Sequence, residues 1–495
     1  MPSILALDQG TTGSTALLVH QDGTVLGRGY RELPQHFPRP GWVEHDPRDI
    51  LEVTLAAGRD ALRASGERPA GIGITNQRET ALLWERATLE PVGRAIVWQD
   101  RRTSDRCLAL RQAGFAPLLA ERTGLVPDPY FSATKLEWLL ADPDIRARAA
   151  RGELAAGTVD AWLIARLTNG VAHVTDHTNA SRTLLYALER RAWDPELIAL
   201  FGIADGLLPN VVASSGVVGE ADRAHLGIAL PIAGIAGDQQ AALFGQGCCQ
   251  PGTAKNTYGT GAFLLIHTGD RRPRPAAGLL ATAACGPSGE PAFAVEGSVF
   301  VAGAAVQWLR DGLGLIGHAA ESETLARSIP DTGGVHFVPA FVGLGSPHWE
   351  PQARGTITGI TRGTGRAHLA RAALEAIAFS TAELLDTMTG EGARVPALRV
   401  DGGAAANDWL MQFQADVLGI PVERPDMVET TALGAAGLAG IALGVWHAPE
   451  DFLAGRRFTR FEPTMTADER ARHRGEWSRA LGAALAWGRF GILDS

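Results

Sequence analysis

At 495 residues, with 45% hydrophobic composition, the chain is long enough for two globular cores. A formal charge of -9, built from 45 basic and 54 acidic side chains with no Lys/Arg-rich run, gives no footprint for nucleic acid and leaves a small molecule as the expected partner. The four cysteines, Cys107, Cys248, Cys249 and Cys285, form no C-x-x-C pair and meet no histidine at zinc-finger spacing, so neither a disulfide framework nor a zinc site is indicated and a reducing cytoplasm fits. The basic residues are arginine throughout except for Lys135 and Lys255, a bias ascribed to codon composition.

The opening residues run straight into Asp8 without a basic stretch or a long apolar run, so no secretory signal is expected. Residues 4–7 and 16–19 are apolar and flank the small-residue turn Asp8-Gln9-Gly10-Thr11-Thr12-Gly13-Ser14-Thr15, which predicts a β-hairpin with a polar loop. Ile50, Val53, Ala57 and Ala61 fall at helical spacing, and Gly71-Ile72-Gly73-Ile74-Thr75 follows as a strand. Residues 254–266 repeat the first pattern, a Gly/Thr turn leading into an apolar run. Two related halves are therefore expected, 1–245 and 246–495, with the boundary close to Gly245. Residues 398–400 read as a strand feeding the turn Asp401-Gly402-Gly403, and residues 369–388 and 404–418 carry helical periodicity. Residues 432–445 are weakly apolar, too short to cross a bilayer and interrupted by four glycines; they read as a buried helix. The alternation of helix and strand predicts α/β architecture.

Phosphates need backbone N–H donors at close range and little side-chain bulk, which Gly/Thr turns supply. Taken alone, each turn is weak evidence and reads first as a plain hairpin. Neither lysine follows a glycine, which excludes a Walker A loop, and no G-x-G-x-x-G follows a strand. Asp8 enters the first turn, where a carboxylate beside bound phosphates calls for a cation, with magnesium the natural choice; the alternative is a turn-capping aspartate. Asp238 follows the apolar run Ile235-Ala236-Gly237 at the start of a helix. It reads either as the helix N-cap or as a general base taking the proton of an attacking hydroxyl. Arg78 and Glu79, at the end of a strand, form an adjacent donor and acceptor suited to a polyol, or else an exposed charged loop. Trp98 and Phe263 offer apolar walls.

At these residues the sequence resembles the FGGY carbohydrate kinase family, within the actin-like, ribonuclease H-like ATPase fold. The resemblance runs from Leu5 to about Trp446 and rests on long blocks: ALDQGTT from Ala6, PGWVEHDP from Pro40, GITNQRET from Gly73, WQDRRT from Trp98, TNASRT from Thr178, GIAGDQQAALFGQ from Gly234, KNTYGTG from Lys255, EGSVFVAGAAVQWLRD from Glu296, RVDGGAAANDWLMQFQADVLG from Arg399 and VERP from Val422. GITNQRET and GIAGDQQAALFGQ point to the members that act on glycerol. The resemblance implies two ribonuclease H-like domains around a catalytic cleft. It also implies transfer of the γ-phosphate of ATP to a primary hydroxyl of glycerol with magnesium, in a cytoplasmic homo-oligomer. By position it implies that Arg78, Glu79, Tyr130, Asp238 and Gln239 hold glycerol against Trp98 and Phe263, with Asp238 as base. Thr11, Thr12, Gly13 and Thr260 would contact the phosphates, Gly303, Gln307, Gly403 and Asn407 would line the rest of the nucleotide site, and Asp8 would act through magnesium.

Some positions depart from the family pattern. Thr15 stands where bacterial relatives often carry an arginine near the phosphates. Some relatives are activated by phosphorylation of a histidine in a Tyr-His-Phe-Tyr-Gly stretch; here the segment reads Arg223-Ala224-His225-Leu226-Gly227, and that regulation is expected to be absent. The alternatives are a sister kinase for xylulose or gluconate, an actin-like or chaperone-like ATPase with no acceptor hydroxyl and, more remotely, a carboxylate-metal nuclease.

Overall fold

The computed structural model describes residues 2–274, 278–390 and 394–490. Its first sheet grows from the opening hairpin: β1 (Ser3–Gln9) pairs antiparallel with β2 (Gly13–His20), and β2 with β3 (Val25–Glu32). The Gly10 N–H donates to the Gly13 carbonyl at 2.9 Å to close the turn. A Cβ on Gly13 would lie 2.6 Å from the Arg31 carbonyl oxygen, so the approach of β3 requires glycine there. Helix α1 (Pro47–Ser65) starts where the Asp46 carboxylate accepts from the Arg48 N–H, with proline in the first turn, and ends at left-handed Gly66. Its apolar face, with Ile50, Leu55, Ala57 and Ala61, covers one side of the sheet. β4 (Gly71–Asn76), β5 (Ser215–Ala221) and β6 (Leu230–Gly237) complete the spatial order β5-β6-β4-β1-β2-β3. Every residue of β4 is buried, which is why it reads as an unbroken run of small and apolar residues.

After α2 (Asp238–Gly245) the pattern repeats. β7 (Ala254–Tyr258) pairs antiparallel with β8 (Ala262–Gly269), which also pairs with β10 (Pro291–Val299); β9 (Leu280–Cys285) extends that edge. On its other side β7 is parallel to β11 (Leu398–Asp401), β11 to β12 (Val422–Pro425), and β13 (Phe458–Phe461) closes the sheet antiparallel. The first sheet has the same arrangement: β1 is antiparallel to β2, parallel to β4, then β4 is parallel to β6 and β6 antiparallel to β5. The two Gly/Thr turns therefore occupy equivalent corners of two like-wound sheets. Helix α3 (Gly303–Asp311) and the long α4 (Arg366–Thr389) pack in the second core.

Two segments differ from the sequence expectation. The helix expected from residue 404 begins at α5 (Asp408–Leu418), because Asn407 caps it by accepting from the Leu410 N–H at 2.9 Å; residues Gly403–Ala406 form a 3-10 turn instead. The buried helix expected over 432–445 is α6 (Thr430–Ala442), but it lies on the first sheet, against β1, β4, β6 and α2. Glycines on both sides permit that approach: a Cβ on Gly434 of α6 would lie 1.8 Å from the Ala241 carbonyl oxygen, and one on Gly73 of β4 would meet that of Ala435 at 2.1 Å. Among the described residues no helix is long and apolar enough to cross a membrane.

Candidate active site

The chemistry-bearing residues gather at the carboxyl ends of the central parallel strands, where open α/β sheets place their ligands. Asp8 lies near the end of β1, Arg78 and Glu79 follow β4, and Asp238 follows β6. The register lines up Gln9, Asn76 and Gly237 across three strands. Beneath them, Asn76 and Asn179 exchange amide hydrogen bonds of 3.0 and 3.2 Å, and the Gly237 N–H donates to the Thr178 hydroxyl at 2.8 Å. The backbone that presents Asp238 is thereby fixed from below. The N-cap of α2 is Gly237, not Asp238, which is the first helical residue; its carboxylate still accepts the Gln239 N–H at 2.7 Å.

Arg78 and Glu79 are buried, at 2% and 1% exposure, and belong to a four-charge cluster rather than a solvated loop. Arg78 grips Glu296 with both terminal nitrogens, at 2.7 and 2.9 Å. It also donates to Gln240 Oε1 at 3.1 Å and faces Asp238 through Nε at 3.2 Å. Arg182 pairs with Glu79 at 2.6 Å and with Glu296 at 3.1 Å. Two cations and two carboxylates balance one another. Burial alone would raise Glu296, yet Arg182 and Arg78 outweigh it and hold the carboxyl down at about 2. For Arg78 burial is likewise outweighed, by Glu296 and Glu79, and its affinity for the proton rises. Beside this cluster the Asp238 side chain keeps 31% exposure where those of Arg78 and Glu296 keep 1% and 0%, so it is the neighbouring carboxylate that opens to solvent.

Tyr130 stands over the cluster, its hydroxyl 3.4 Å from Arg78 and its ring 5.4 Å from the Arg182 guanidinium. Trp98 meets Tyr130 edge-on at 5.6 Å and Phe263 at 6.3 Å, so residues from both halves form one aromatic wall. The Trp98 indole N–H donates to the Thr11 hydroxyl at 2.8 Å, which ties that wall to the first Gly/Thr loop. Gln239 sits beside Asp238 and is 7% exposed.

Burial, with Asp238 and Glu429 nearby, pushes the Asp8 carboxyl up to about 7. A cation held beside Asp8 would reverse that effect, so the donor chemistry fits magnesium. Among the described residues no three metal-ligating side chains converge, so a cation beside Asp8 would take its remaining ligands from phosphate oxygens and water.

On the second sheet, a cavity of about 530 Å³ brings together Thr260, Gly303, Gln307, Gly403 and Asn407, all five residues of this half assigned to the nucleotide. Thr11, Thr12 and Gly13 lie on the other half. A Cβ on Gly303 would be 2.6 Å from the Gly259 carbonyl oxygen, so glycine lets α3 begin against the second loop; one on Gly403 would meet nothing within 4 Å. Sequence reasoning gave no role to Arg182, Gln240, Lys255 or Glu296. For Glu296 a signal existed, a lone carboxylate in the apolar strand Ala292-Phe293-Ala294-Val295.

Comparison with known proteins decides the family. The model for the FGGY family of carbohydrate kinases, N-terminal domain, matches residues 3–245, and that for the C-terminal domain matches residues 254–443. The chain belongs to the FGGY family of carbohydrate kinases. Among similar FGGY proteins, glycerol kinase of Symbiobacterium thermophilum is 54% identical, covering 98% of each chain, and that of Aromatoleum aromaticum is 55% identical, covering 98% of this chain and 99% of its own. Likeness therefore extends past Trp446, where the resemblance read from the sequence stops. Plasmodium falciparum glycerol kinase, solved with ADP, superposes with a TM-score of 0.91 at 34% identity and 98% coverage of both chains. Xylulose kinase of Lactobacillus acidophilus, at 22% identity and a TM-score of 0.89, shares the fold.

Proposed function

We propose that this chain is an ATP-dependent glycerol kinase, giving sn-glycerol 3-phosphate and ADP. The observation that carries the reading is Asp238: a partly exposed carboxylate beside a buried charge cluster, just past the carboxyl end of β6, in a chain 54% identical to a glycerol kinase over nearly its whole length.

In this reading Arg78, Glu79, Tyr130, Asp238 and Gln239 hold the triol, while Trp98 and Phe263 pack on its carbons and exclude water. Asp238 accepts the proton of the attacking hydroxyl. Thr11, Thr12, Gly13 and Thr260 present amides and hydroxyls to the phosphates, and Gly303, Gln307, Gly403 and Asn407 enclose the rest of the nucleotide. Asp8 would hold magnesium through water, the ion supplying charge neutralisation on the β- and γ-phosphates. The halves 1–245 and 246–495 act as domains whose closure keeps ATP from water. A cytoplasmic site of action and a homo-oligomeric state, the latter open to light scattering, complete the proposal.

A substrate panel tests it. With ATP and magnesium, glycerol should be phosphorylated at least about tenfold more efficiently than xylulose or gluconate, since a site built for particular hydroxyls rejects analogues that leave buried polar groups unpaired. Preference for either sugar acid or ketose would move the chain to a sister kinase.

A further inference from the structure

Only two of the 45 basic residues are lysines, and both are buried beside this site, Lys135 at 1% and Lys255 at 0% exposure. A compositional bias toward arginine acts on every basic position alike, so a local requirement must hold these two. For Lys135 it is visible in the framework: Nζ donates to the carbonyl oxygens of Tyr130 at 2.5 Å and Glu79 at 3.3 Å. Acceptors converging on one point suit a compact ammonium and not a planar guanidinium fork. Glu79 has a φ of 61°, a conformation that costs a non-glycine residue energy, and Lys135 is one of the groups that hold it.

Lys255 is different, because its acceptors are side chains. From β7 of the second half its Nζ donates to Gln239 Oε1, in the first turn of α2, and to the Thr257 hydroxyl at 2.7 Å. An amide can turn either end toward a neighbour. An ammonium carries only donors, so it takes the carbonyl oxygen and leaves the NH2 as the free end.

We propose that Lys255 is a positioning residue for the acceptor alcohol, fixing Gln239 in the orientation whose NH2 donates to a hydroxyl beside Asp238. The inference rests on the reading of Asp238 and Gln239 as the polyol side of the site. Burial lowers the Lys255 ammonium to about 8, while Asp401 and Asp238 favour its charged form, so the group also offsets two carboxylates, one buried and one at the site. An arginine at 255 would keep the charge but would have to fit a fork between Gln239 and Thr257.

A double-mutant cycle on the full chain tests this. Glycerol is varied at saturating ATP and magnesium for wild type, Lys255→Met, Lys255→Arg and Gln239→Ala, and for each Lys255 variant combined with Gln239→Ala. Each Lys255 single variant should raise KM for glycerol by about tenfold or more, with a smaller effect on kcat and on KM for ATP. In the Gln239→Ala background the same change should add less than about twofold. A merely structural role would lower kcat or Tm equally in both backgrounds. Additive effects on KM for glycerol, or a loss confined to KM for ATP, would overturn the proposal. If Lys255→Met does not fold, Lys255→Arg carries the cycle. A wild-type chain without glycerol-dependent turnover would overturn the functional reading and this inference with it, an outcome seen before any variant is compared.

Discussion

Arg78 and Glu296, 218 residues apart in sequence, meet in a two-pronged ion pair of 2.7 and 2.9 Å that joins the carboxyl end of β4 to β10 and ties the two sheets together. Removing one partner of a buried pair strands the other charge, at a cost of about 3 to 5 kcal/mol. Glu296→Ala should lose that much stability in urea unfolding. Arg78→Ala should weaken glycerol capture and also lower stability, because it strands Glu296 and part of the compensation for Glu79. Unchanged unfolding midpoints in both variants would show that the pair does not tie the halves.

Asp238→Asn separates the chemistry from the helix start. Gly237 is the cap, and an amide oxygen at 238 can still accept the Gln239 N–H, so the variant should fold with near-normal Tm and ATP binding. It cannot take the hydroxyl proton, and loss of a general base costs about 10² to 10⁴ in rate. Glycerol phosphorylation should fall at least about a hundredfold. Wild-type turnover would remove Asp238 from the mechanism.

Gly403→Ala probes the second-half cavity. The new Cβ would meet no protein atom within 4 Å, and Gly403 lines the cavity of about 530 Å³. Tm should stay near the wild-type value while KM for ATP rises and KM for glycerol does not. A variant with unaltered nucleotide affinity would place the nucleotide elsewhere.

The two hairpins and their equivalence were legible in the sequence, because Gly/Thr turns between apolar runs specify strand, turn and strand locally. The burial of Arg78 and Glu79 was not. Two adjacent charges read as a polyol-binding pair or as a solvated loop, and the partners that make burial tolerable lie 103 residues away at Arg182 and 218 away at Glu296. Arg182 reaches Glu79 through the folding of the first half, and Glu296 reaches Arg78 only through the packing of the two halves. Helix α6 tells the same story: its apolar, glycine-rich composition announced burial, but its covering the first sheet depends on a chain return that no local pattern encodes. The two lysines read as residue of a codon bias; their meaning lies in acceptors that converge only in the folded chain.

Glu375, in α4, gives a pH dependence. Burial pushes its carboxyl from 4.5 up to about 7, against the opposing hydrogen bond and charge of Arg371 at 2.9 Å. The folded chain therefore holds a proton between about pH 4.5 and 7 that the unfolded chain has released. The stability it contributes is fully present below pH 4.5 and is lost as pH rises through 7, by an amount of the order of 3 kcal/mol. Glu375→Gln keeps the shape and an acceptor for Arg371 without the titration. Thermal melts should show a flatter profile for the variant between pH 5 and 8, and identical slopes would contradict the assignment.

The central claim, that the cleft between the two sheets transfers phosphate to glycerol, is tested most directly by ADP release from ATP and magnesium measured with and without glycerol. The account predicts slow release alone and an increase of at least about a hundredfold with glycerol, with one sn-glycerol 3-phosphate formed for each ADP, since the acceptor hydroxyl and its base are both needed for transfer. ADP release at the same rate in both conditions would contradict it and would describe an ATPase without an acceptor alcohol.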